Sequence, residues 1–92
     1  MIDIKKIQER KKIRAEILEE LYKLWFSGEF NALVGTKQEL YQGSKERHLA
    51  FHYLLGMEFI TITPMGGSST KDEILSVHIS AKGIEHVESN YI

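Results

Sequence analysis

The chain has 92 residues, 42% of them hydrophobic and 27% charged, with a formal net charge of −1 and no cysteine. That length supports one core and a single domain over residues 1–92, the composition excludes a disordered or fibrous chain, and the lack of thiols excludes disulfides and cysteine-ligated zinc. No apolar run reaches the length of a membrane span, and "MIDIKKIQERKKIR" is charged where a signal peptide is apolar, so a cytoplasmic protein with no membrane partner is expected.

The near-zero net charge conceals a basic end. Residues 1–14 hold Lys5, Lys6, Arg10, Lys11, Lys12 and Arg14 against Asp3 and Glu9. Such a run is ordinarily a solvated helix face, yet Lys6, Arg10 and Arg14 recur every four residues and share one side, a local positive surface for a polyanion. From about Lys5 to Ser27, Ile13, Ile17, Leu21 and Leu24 keep helical spacing, widened by Leu18, Tyr22 and Trp25, and Gly28 supplies a stop. Trp25, Phe26 and Phe30 read as a core cluster.

Phe30 to Val34 forms a short extended segment. Thr36 and Glu39 then make a T-x-x-E capping box that opens a second helix. Gly43 ends that helix within about a turn, and Ser44 caps a third, which runs to about Met57. Its expected buried face carries Leu49, Ala50, Tyr53, Leu54 and Met57, opposite Lys45, His48 and His52, with Phe51 and Leu55 flanking the outward side. "EFITIT" and "ILSVHIS" alternate as strands around the polar loop "MGGSSTKDE", and Pro64 closes the first of them. Ser80 caps a last helix holding Ile84 and Val87.

The order of these elements resembles a winged helix-turn-helix, an α+β fold: helix, short strand, helix-turn-helix, two-stranded wing and closing helix. The resemblance spans nearly the whole chain. "ISAKGIEHVE" is similar to the strand-to-helix junction of many bacterial winged-helix proteins, with Ser80 and Gly83 as the hydroxyl residue and the glycine, the latter expected to let the last helix approach the first. Among such groups the chain resembles small bacterial and phage proteins such as the YjcQ-like family. It departs from the pattern in three places. Glu58 stands where a glycine usually ends the third helix, so a turn at Gly56 is an alternative; Lys71 in the wing is followed by Asp72 and Glu73; and Phe51 and Leu55 give the third helix apolar surface beside His48.

The resemblance implies double-stranded DNA as partner, with the third helix in the major groove, and the role of a small transcriptional regulator. Lys45, Arg47, His48 and His52 are the expected groove contacts, Lys37 and Lys71 the backbone contacts, and Phe51 and Leu55 the apolar contacts to a base or to a protein. The competing expectation is a winged-helix module that docks a protein through the same helix. A homodimer is expected through the terminal helices, using the basic first turns together with Ile84, Val87 and Tyr91. No nucleophile elbow or histidine-glutamate zinc motif is present, so no enzyme is expected. His48 and His52 alone make too few ligands for a structural metal, and neither a cofactor nor a small-molecule ligand is evident.

Overall fold

The structure, a computed structural model, describes residues 1–27, 31–65 and 73–91. Its elements run α1 (Ile4–Phe26), β1 (Leu33–Thr36), α2 (Lys37–Tyr41), α3 (Lys45–Gly56), β2 (Ile60–Pro64), β3 (Ile74–Ile79) and α4 (Ala81–Ser89). Among the described residues, four helices pack with one antiparallel sheet of order β1-β3-β2. The chain is therefore α+β. No helix among the described residues is long and apolar enough to cross a membrane.

Local chemistry sets the helix starts. Asp3 accepts from the Lys5 amide at 2.9 Å, and Thr36 and Glu39 close the capping box in both directions, at 3.2 and 3.0 Å. Ser44 and Ser80 cap α3 and α4 through the amides three residues on. The expected extended segment lies slightly later than its sequence pattern. Strand β1 covers Leu33–Thr36 and adds a third strand to the hairpin, so Thr36 serves as both strand end and helix cap. Phe30 and Gly28 lie outside the described residues, as does most of the loop between β2 and β3.

Strand β3 is central, pairing Val77 with Leu33 on one side and with Ile62 on the other. Its alternation turns Leu75, Val77 and Ile79 into the core. There they meet Ile17, Leu18 and Leu21 of α1, Leu40 of α2, Ala50, Phe51 and Leu54 of α3, and Val87 of α4. The buried residues of α1 all lie in its C-terminal half, leaving its basic first turns uncovered.

Four expectations are corrected. Leu49, Tyr53 and Met57 are exposed rather than core, whereas Phe51 is fully buried. Trp25 and Phe26 are also exposed, and Trp25 lies over His78 with ring centres 6.0 Å apart. That contact leaves His78 half-buried. Gly56 stays helical, and Glu58 itself takes the left-handed turn at φ 65°. Finally, Gly83 admits a close approach, but to Phe59 at the start of the hairpin and not to α1.

Candidate nucleic-acid interface

The turn before α3 determines what that helix presents. Gln42 and Gly43 adopt left-handed φ values of 53° and 66°, and the Ser44 amide donates to the Tyr41 carbonyl at 2.9 Å. The chain thus reverses between α2 and α3 within three residues, Gln42 to Ser44. Lys37, at the start of α2, and Lys45 and His48, on the first turn of α3, come to line one open groove of about 460 Å³ with Gln38, Tyr41 and Ser44. Among the described residues no carboxylate lines it. Lys37 approaches Glu73 at 3.9 Å, an exposed and long ion pair that contributes little, so its ammonium stays available to an anion.

A ladder of rings fixes the histidines. Phe51 sits in the core, Tyr41 meets its edge at 5.3 Å between centres, His48 stacks on Tyr41 at 4.3 Å, and His52 follows at 4.6 Å. Partial burial raises the Tyr41 phenol above its ordinary value, so it stays neutral. The Nε2 atoms of His48 and His52 are 2.9 Å apart, placing one N–H between the two rings. A base contact through either Nε2 first opens that bond. Tyr41 was not among the sequence-predicted residues, because nothing in its spacing marks it as the support of His48.

Two predicted contacts are corrected by the packing. Arg47 is half-buried: its Nε donates to the Leu40 carbonyl, and its guanidinium lies 5.3 Å from the Phe51 ring centre. It satisfies a carbonyl at the end of α2 that the helix cannot bond internally, so it joins α2 to α3 instead of reaching outward. Phe51 is 0% exposed and offers no surface to a base or a partner. Leu55 keeps 41% exposure and stays on the surface beyond the ladder. Lys71 lies outside the described residues.

The basic face of α1 runs beside α3. Arg10 donates to both Glu46 oxygens, at 2.8 and 3.2 Å, and Arg14 lies over the Tyr53 ring at 4.0 Å. The hydrogen bond from Arg10 lowers the Glu46 carboxyl below its ordinary range, helped by the charges of Lys6 and Lys45. Glu46 thus pairs directly with Arg10, while Lys6 and Lys45 add weaker charge attraction. Among the described residues no group of three or more His, Asp or Glu side chains is placed to hold a metal ion. No family model matches the chain, and neither the curated proteins nor the solved structures give a match.

Proposed function

We propose that the protein is a winged helix-turn-helix domain that binds double-stranded DNA as a small transcriptional regulator, not an enzyme, with α3 in the major groove and the β2–β3 hairpin as the wing. The observation that supports this reading is the convergence of Lys37, Lys45 and His48 on one groove that no carboxylate lines among the described residues. Lys37 and Lys45 take phosphate oxygens, and His48 and His52 take base edges once their mutual hydrogen bond opens. A salt-titrated binding assay against random duplex DNA tests it. Phosphate contact gives an affinity that falls linearly on logarithmic axes as salt rises. Absence of any duplex binding at low salt counts against the proposal.

A second reading, a protein-docking module, draws support from Leu49, Tyr53, Leu55 and Met57, which leave α3 with exposed apolar area. It loses Phe51 as its aromatic anchor. We also propose a homodimer through the terminal helices, carried mainly by α1, because Ile84 and Val87 pack against the core of their own chain while Tyr91 stays exposed. The first turn of α1 carries exposed Ile4 beside Lys5 and Lys6, and exposed Ile2 lies just before the helix cap. Light scattering is expected to report a dimer, and a monomer at every concentration, with and without duplex DNA, argues against that pairing.

A further inference from the structure

The groove between the C-terminal half of α1 and α4 differs in chemistry from the face just described. About 550 Å³ in volume, it is lined by Glu19, Tyr22, Lys23, Val87, Glu88 and Tyr91. That volume lies within the range of small-molecule sites. Two hydrogen bonds cross it in opposite senses. The Tyr22 hydroxyl donates to Glu88 Oε2 at 2.8 Å, and the Tyr91 hydroxyl donates to Glu19 Oε1 at 3.0 Å. In each case the bond to the carboxylate is the main reason that the phenol is raised above its ordinary value, so both rings remain neutral. Phe26 packs against Tyr22 with ring centres 4.9 Å apart and steadies that ring.

Apart from Lys23, the lining favours one kind of guest. An aromatic face carries negative quadrupole density and attracts a cation, and a phenol that donates a hydrogen bond to a carboxylate is held in place and made more electron-rich. Two carboxylates add full negative charge within the same walls, against Lys23 as the single opposing cation. The rings of Tyr22 and Tyr91 supply apolar area that a hydrated metal ion could not use, beside Val87, which is itself almost fully buried. A cation wrapped in alkyl or aryl groups loses little hydration on entry, so it collects the aromatic, Coulombic and apolar contributions together.

We propose that this groove binds a lipophilic organic cation, an alkyl- or aryl-substituted ammonium or a cation of equivalent chemistry. The chain carries its own control. A second groove of about 510 Å³, between α1, the end of α3 and α4, has an apolar floor that includes Leu18 and Phe59, but its rim bears Lys11, Arg14 and His86 and, among the described residues, no carboxylate. Two grooves of similar size therefore differ in sign.

Isothermal titration and NMR shift mapping with tetraphenylphosphonium and the size-matched anion tetraphenylborate test the proposal on the intact chain. The expected result is saturable binding of the phosphonium with shifts at Tyr22, Val87 and Tyr91, and no displacement of it by the borate at those residues. Glu88→Gln and Tyr91→Ala each weaken phosphonium binding by about two- to fivefold, the range of an exposed cation–aromatic contact, and Lys23→Gln strengthens it. All three side chains are exposed, so folding is expected to persist, and circular dichroism confirms it for each variant. Equal binding of both ions at this groove, or phosphonium binding indifferent to Glu88→Gln, Tyr91→Ala and Lys23→Gln, reduces the groove to generic apolar surface and overturns the proposal. Failure to detect saturable phosphonium binding overturns it as well.

Discussion

A β-carbon on Gly83 would overlap the carbonyl oxygen of Phe59 and come within 2.7 Å of Ile79 Cγ1. The same carbonyl accepts from the Ser80 amide at 2.9 Å, while the Ser80 hydroxyl donates to the Glu58 carbonyl and accepts from the Gly83 amide at 3.0 Å. The end of α3, the start of the hairpin and the cap of α4 therefore form one joint, closed by backbone that has no side-chain freedom to yield. Gly83→Ala is expected to cost about 3 kcal/mol or more, at the upper end of overpacking penalties. Gly56→Ala, in a helix with nothing near the added carbon, is expected to stabilise by about 0.5–1 kcal/mol. Urea unfolding midpoints of the two variants check the contrast.

Phe51→Ala is a stability variant in this structure. Removing a fully buried ring from between Tyr41, Arg47 and the core is expected to cost about 3–5 kcal/mol. Leu55→Ala, at a half-open position, is expected to change stability by less than about 1 kcal/mol. Thermal unfolding of both separates core from surface on one helix.

On the proposed DNA-binding reading, Lys37→Ala and Lys45→Ala each weaken binding to every duplex and reduce the salt slope by about one unit. Arg47→Ala behaves differently. Its principal effect is expected on stability, through the Leu40 carbonyl that loses its donor, with a smaller change in salt slope than either lysine variant gives. His52→Ala relaxes preference at one base position, by about 1–3 kcal/mol of discrimination. Salt-dependent affinities measured beside unfolding midpoints distinguish the three kinds of residue.

Acid should loosen the entry to α2. The Glu39 carboxyl is held below its ordinary range, first by the Thr36 amide and then by the Thr36 hydroxyl. A carboxylate lower in the folded than in the unfolded state contributes stability that is present above the ordinary carboxylate range and is lost as pH falls through the folded value. Glu39→Gln keeps a hydrogen-bonding group at the same position but cannot titrate. The stability gap between wild type and Glu39→Gln is therefore expected to shrink as pH falls from neutral into the acid range, read from urea midpoints along a pH series.

The ends of the elements were legible in sequence where a side chain bonds its own neighbours: Thr36 with Glu39, Ser44 with Arg47 and Ser80 with Gly83 all act within three residues. The phase of α3 was not. Leu49, Ala50, Phe51, Tyr53, Leu54, Leu55 and Met57 surround that helix with apolar groups, so spacing alone could not choose which stripe faces inward. Packing against α1 and the sheet chose Ala50, Phe51 and Leu54. Glu58 is a similar case, since its left-handed turn is imposed by the joint around it and not by its own preference. Within the candidate interface, Lys37, Lys45, His48 and His52 could be anticipated from the turn chemistry, but the inward pull on Arg47 could not. The aromatic, acidic groove between α1 and α4 pairs Tyr22 with Glu88 and Glu19 with Tyr91, partners that no local pattern joins.

The middle strand of the sheet is also the last to be made. β3 lies between β1 and β2, so Leu33 has no strand partner until Val77 has been synthesised, and Ile60 has none until Ile79 follows. A nascent chain that has emerged from the ribosome only as far as Glu73 contains the segments of α1, α2 and α3 and none of the sheet pairing. Phe59 and Ile60 then wait beside the apolar sides of α1 and α3 with nothing to seal them. Completion of the sheet is thus tied to the synthesis of residues 74–79, and a chain that stops before them leaves the edges of β1 and β2 unpaired.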